Sequence, residues 1–243
     1  MKSRNIVLRL FVYLIGLAVI AVGINLSKLS ALGISPVSSI PGVLSARFPQ
    51  FSLGSMVILV YCLLVAAQAI VLRKEFKLVN ILGVPVAIVF GWLVDFVGVS
   101  AFRLTLAGLD LGIDREFHGL MAGIAAPQTL FGKICVLLVS IAVIALGVCI
   151  YLRPKLVPMP AEGLAAAFAG VWKKPFGNCK TGVDFTMIFI AFILQVVLLG
   201  GFAPIFNGTS VVGAGTLLSA LLVGQTVKFL NTYLFKFSQK KEG

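Results

Sequence analysis

Six stretches of roughly 20 residues, at 6–26, 53–72, 78–99, 134–152, 183–199 and 211–230, carry almost no charge. That length matches a hydrocarbon core about 30 Å thick crossed at ~1.5 Å per residue. No water satisfies exposed backbone N–H and C=O groups in lipid, so each stretch must close its hydrogen bonds internally as an α-helix. Strands of a membrane barrel would alternate apolar and polar residues over about ten positions, and these runs do not. The sequence therefore predicts an all-α integral membrane protein with six transmembrane helices. Composition agrees: 60% of residues are hydrophobic and 12% charged, the reverse of what keeps a chain disordered.

The net charge is +12. With no soluble domain to carry a basic face, nucleic acid is not an expected partner; the lipid bilayer is. The positions of the charges then set orientation. Fifteen of the twenty Lys and Arg fall at the N-terminus, in the second-to-third and fourth-to-fifth connections, and at the C-terminal end. The positive-inside rule puts those regions, and both termini, in the cytoplasm. Lys2 and Arg4 before an apolar run also fit a cleaved signal peptide. That run is long for one, however, and it has a counterpart deep in the chain. Cys62, Cys135 and Cys149 lie in apolar runs and Cys179 in a loop. None forms a CxxC pair or a metal-ligand spacing, so they read as small packing residues.

The counterpart is a repeat. Ala-Val-Ile-Ala-Val-Gly at 18–23 recurs as Ala-Val-Ile-Ala-Leu-Gly at 142–147, and the same offset of 124 aligns Pro36 with Pro160. After small shifts Gly54 matches Gly182, Gln68 matches Gln195, and the pair Gly91 and Asp95 matches Gly224 and Lys228. The chain divides into a first three-helix repeat at 1–100, an extracytoplasmic linker at 101–130, and a second three-helix repeat at 131–243 ending in a cytoplasmic basic tail at 236–241. Three is odd, so a second copy starts on the opposite side and is inserted upside down. Inverted repeats of this kind build many secondary transporters, with the site near the midplane between the halves.

Each half also holds a segment too apolar for a loop and too short to cross, at 30–46 and 156–170. Ser35-Pro36 is a helix start, with serine at the N-cap and proline at the first helical position. Pro160 opens the second helix likewise, with Glu162 in a first turn that favours negative charge. Two readings stand. Each segment is an amphipathic helix lying at the interface, or a re-entrant half-helix whose N-terminal amides face a central cavity and hold a small solute, anionic in the first instance. On the second reading the candidate substrate-binding residues are Ser35, Ser38, Ser39, Asp95, Glu162 and Gly163, with Asp95 and Glu162 as charges set behind the half-helix starts. An acid beside lipid is expensive unless it faces protein or water, which marks Asp95 for a site or a packing role. Glu162 suits proton coupling or cation binding, or is a surface carboxylate. Asp184 reads as helix-dipole compensation and Lys228 as a snorkelling cation. Asn25, Gln68 and Gln195 read as interhelical hydrogen-bonding groups.

The Leu-Gly-Ile-Ser-Pro-Val-Ser-Ser-Ile-Pro run at 32–41, the Gly91…Asp95 ending of the third span and Met-Pro-Ala-Glu-Gly-Leu at 159–164 resemble the YczE/YyaS/YitT-like group of bacterial polytopic membrane proteins. The resemblance covers nearly the whole chain outside the linker. It implies a multi-pass protein of the bacterial plasma membrane and carries over no substrate or site residues.

Enzymatic chemistry is not expected. His118 stands in the linker beside Asp114 and Glu116 without metal-ligand spacing, no GxxxxGK[ST] loop is present, and no serine or cysteine has a base on its side of the membrane. No metal or cofactor is expected. The reading is a small-solute carrier or uptake component. Its alternative is a non-transporting membrane partner or regulator, packing against another protein or a second copy through small-residue steps such as Gly213-Ala-Gly215 and Ala165-Ala-Ala167.

Overall fold

Helices form along the apolar runs and stop where side chains or backbone geometry end them. The computed structural model describes residues 2–230 apart from 77, 99–100, 103–104, 107–108, 111–116, 122 and 201–210. Its helices are α1 (Lys2–Leu29), α2 (Pro36–Arg47), α3 (Leu53–Leu72), α4 (Leu78–Ile81), α5 (Gly83–Val97), α6 (Leu130–Leu152), α7 (Pro160–Trp172), α8 (Phe176–Leu198) and α9 (Ala214–Leu230). Ser52 and Thr129 cap α3 and α6 by accepting from the amides of Ser55 and Gly132. Lys173, in the left-handed region at φ 52°, ends α7. As expected, α2 and α7 begin at Pro36 and Pro160, and neither has a side-chain cap.

Among the described residues, five helices are long and apolar enough to cross a membrane: Ile6–Leu29, Leu53–Leu72, Val79–Val97, Leu130–Leu152 and Phe176–Leu198. The sixth expected run is the shorter apolar helix α9, of 17 residues. Exposed Ile6, Val7, Leu63, Ile70, Phe131, Phe189 and Val197 turn apolar faces outward, as lipid-facing helices do. The basic tail at 236–241, Asp114 and Glu116 lie outside the described residues.

Cys179 corrects an expectation. It is not in a loop but buried in α8, which starts seven residues before the expected run. That added length is polar yet helical because its groups bond locally. Lys180 pairs with Asp184 one turn on, and the hydroxyls of Thr181 and Thr186 donate to the carbonyls of Gly177 and Gly182. Hydropathy alone misses such a segment. In the linker, Ala101–Phe102 pairs antiparallel with Phe117–His118 and Thr105–Leu106 with Leu109–Asp110. The returning chain then donates from Leu120 and Met121 to the carbonyls of Phe96 and Val97, satisfying the end of α5.

The bundle is built around α1 and α6, which run antiparallel at close range. A Cβ at Gly23 would stand 2.9 Å from the amide nitrogen of Ile144, and one at Gly147 would stand 2.8 Å from that of Ile20. At Gly16 it would stand 2.5 Å from Cβ of Tyr151. These glycines let the backbones touch, as small residues do between membrane helices. The other packings come in pairs: α2 on α8 with α7 on α3, and α1 on α5 with α6 on α9. The core holds Leu17, Ala21, Val57, Ala87, Phe90 and Val94, all fully buried. Asn25 ties α1 to α5 by donating to Val94 O at 2.9 Å. Gln195 holds the start of the α9 segment by accepting from Val212 N at 2.8 Å. Both fill the interhelical role read from the sequence.

Candidate functional site

The start of α7 is pinned from three sides. Arg9 of α1 donates through Nε to Pro154 O at 3.0 Å, and Tyr13 donates to Val157 O at 2.8 Å, fixing the stretch that leads into the helix. Gln68 of α3 donates to Pro160 O at 2.8 Å. Gly163 makes that possible, because a Cβ there would fall 2.8 Å from Oε1 of Gln68. This places Gly163 as the seat of the Gln68 amide.

Held in this way, Glu162 turns into the bundle. Its Oε1 lies 3.7 Å from Nζ of Lys180, while Lys180 sits closer, at 2.8 Å, to Oδ1 of Asp184. Lys180 and Asp184 thus largely satisfy each other, and Asp184 acts through this pair rather than only through a helix dipole. Glu162 keeps one loosely paired oxygen and one with nothing. Its Oε2 is buried without a hydrogen-bond partner, and so is the hydroxyl of Tyr151. The two lie at the outer edge of hydrogen-bonding reach of each other, short of a well-formed bond, and Tyr13 and Tyr61 also feel the Glu162 charge. Four helices therefore converge here: α1 through Tyr13, α3 through Tyr61, α6 through Tyr151 and α8 through Lys180 and Asp184. Tyr13 packs edge-on to Tyr151 with ring centroids 5.9 Å apart, and Tyr61 stacks on Phe90 at 5.8 Å.

A buried carboxylate oxygen and a buried phenol without partners are each expensive in the interior of a protein. The sequence singled out Glu162 and Gly163 here but not Lys180 or the tyrosines. Tyrosines inside apolar runs look like ordinary core aromatics. The Lys180…Asp184 spacing of four was the one available signal, and it straddled the expected start of the fifth span, with Lys180 in what looked like a loop.

The other expected residues lie elsewhere. Ser35, at the N-cap of α2, and Ser38 and Ser39, within it, are buried. Ser39 donates to Pro36 O at 2.6 Å and approaches Met187 O at 3.5 Å, and Ser38 Oγ has no partner. No hydrogen bond or ion pair among the described residues joins these serines to Glu162 or Gly163. Asp95 anchors α3: its Oδ1 accepts from Gly54 N at 2.7 Å and its Oδ2 from the Ser52 hydroxyl. It therefore serves the first turn of a helix, where negative charge is favoured, and the nearby charge is Lys28.

A family described as a family of unknown function (DUF6198) matches residues 7–232. The Uncharacterized protein YyaS of Bacillus subtilis (strain 168) is 26% identical over 212 residues, covering 87% of each chain. No solved structure matches the chain. The YyaS-like resemblance read from the sequence is thereby borne out.

Proposed function

Since this chain belongs to the DUF6198 family, which assigns no activity, we propose from the site itself that it is a small-solute carrier or uptake component of the bacterial plasma membrane. The carrying observation is the unpartnered Glu162 Oε2 and Tyr151 hydroxyl, buried where five helices meet. Unlike the equally unpartnered Ser38 Oγ, these two groups stand beside the Lys180–Asp184 ion pair, so charge and hydrogen-bonding capacity coincide there.

On this reading the chain has six crossings, with α9 as the sixth, and two inverted halves. The reciprocal contacts of α1 and α6 support that arrangement. Gly23 meets Ile144 as Gly147 meets Ile20, and each residue is offset by 124 from its counterpart. Exchanging two antiparallel helices needs a two-fold axis perpendicular to them, which in a bilayer lies in the membrane plane. The paired packings of α2 on α8 and α7 on α3 fit the same axis. The charge distribution places both termini in the cytoplasm. Small-residue steps offered for a separate partner are in part spent within the chain. A Cβ on Gly215 would stand 2.8 Å from Leu32 O, and Ala165 and Ala167 are buried.

The test is uptake into proteoliposomes across a panel of small cationic, zwitterionic, neutral and anionic metabolites. The expected result is saturable uptake of one class, lowered about tenfold or more by Glu162→Gln, since a charge-assisted hydrogen bond is worth about 1.5–3 kcal/mol. Uptake that is absent for every class in folded protein overturns the proposal, as does uptake indifferent to that substitution.

A further inference from the structure

The chemistry of the Glu162 cluster selects the charge of what it holds. The carboxylates of Glu162 and Asp184 face one lysine, and Lys180 is drawn to Asp184 at 2.8 Å against 3.7 Å for Glu162. The surrounding phenols are neutral donors and acceptors. The cluster therefore carries a net negative charge centred on Glu162. The N-terminal end of α7 does not reverse that sign, because Glu162 stands in its own first turn and answers the helix dipole. An anion entering here would meet two carboxylates that share a single lysine. A hydroxyl could bridge the two, donating to Glu162 Oε2 and accepting from Tyr151, but it would bring no charge to answer the carboxylate. An ammonium reaches both oxygens through its several N–H donors and also brings the positive charge that a hydroxyl lacks. It can donate to Glu162 Oε2 and to the Tyr151 oxygen together, and its positive charge suits the faces of aromatic rings.

We propose that Glu162 and Tyr151, walled by Tyr13 and Tyr61, form a binding site for an organic ammonium group on a small solute. This rests on the carrier reading and replaces its anionic solute with a cationic or zwitterionic one. Lys180 and Asp184 are positioning residues: their pair keeps Lys180 from closing fully on Glu162 and leaves Oε2 open.

The test uses the full-length protein in detergent at constant ionic strength, with butylammonium, butyrate and sodium as probes in a thermal-shift titration. Butylammonium is expected to raise Tm saturably and butyrate and sodium to leave it in place. Glu162→Gln is expected to weaken butylammonium binding roughly tenfold or more, as for any charge-assisted hydrogen bond. Tyr151→Phe removes one hydroxyl from an otherwise unchanged ring and is expected to weaken it several-fold. It also decides the matter should Glu162→Gln not fold. The proposal is overturned if butyrate stabilises and butylammonium does not, if sodium reproduces the whole effect, if no probe shifts Tm, or if the folded variants bind as the wild type does. Amine binding without uptake in proteoliposomes removes the carrier reading and leaves the site. Uptake of an anion through Glu162 does the opposite.

Discussion

Alanine at Gly54 is expected to destabilise the protein by about 3 kcal/mol, the upper end of what overpacking costs. Alanine at Gly182, its counterpart in the second half, is expected to be neutral or to stabilise by up to ~1 kcal/mol through better helix propensity. The substitution is the same and the surroundings decide the sign. A Cβ at Gly54 collides with the carbonyl oxygen of Gly91 and would stand 2.5 Å from the Asp95 carboxylate, whereas one at Gly182 meets nothing within 4 Å. The obstacle at Gly54 is backbone, so no rotamer change relieves it, and α3 must move away from α5. Reversible unfolding of the two variants in detergent micelles measures the contrast. Equal effects at the two positions would mean that the close α3–α5 approach is wrong.

Removing the Asp95 carboxylate is the second large effect. Asp95→Ala strands the Gly54 amide and leaves the Ser52 hydroxyl with only the Ser55 hydroxyl at 2.8 Å. The loss is expected to be about 2–4 kcal/mol, because buried donors lose charge-assisted bonds and gain nothing in return. Asp95→Asn retains one carbonyl acceptor and should fall by about half as much. Solute uptake per folded molecule is expected to be unchanged in Asp95→Asn, since no hydrogen bond or ion pair among the described residues connects Asp95 to Glu162. Selective loss of uptake with stability intact would return Asp95 to the site.

Those two experiments also mark where sequence reading stops. Membrane helices announce themselves, because some 20 apolar residues in a row have few other uses. Pro36 and Pro160 announce helix starts, because proline lacks the N–H that a first turn does not need. Glu162 was visible because a carboxylate in that first turn is rare among such apolar neighbours. Asp95 was visible as a charge but not as a cap, since Gly54 lies 41 positions away. Nothing local links residues so far apart. The tyrosines were hidden for a different reason: Tyr13 and Tyr151 differ from other buried aromatics only in where their hydroxyls end up, which depends on the crossing of α1 and α6. Lys180 was hidden by the boundary of its helix, which hydropathy placed seven residues late.

The glycine seam between α1 and α6 has a mechanical consequence. Backbones in direct contact cannot slip past one another by a fraction of a turn without collision, and packed interfaces switch between discrete registers rather than deforming smoothly. These two helices must therefore travel as a single stiff strut. On the proposed carrier reading, rocking that exposes Glu162 first to one side and then to the other falls to the remaining elements, among them α9, where a Cβ added at Gly224 would meet nothing within 4 Å. A covalent tether from α1 to α6 is accordingly expected to spare turnover, and one from α6 to α9 to arrest it; the reverse pattern would assign the moving parts the other way round.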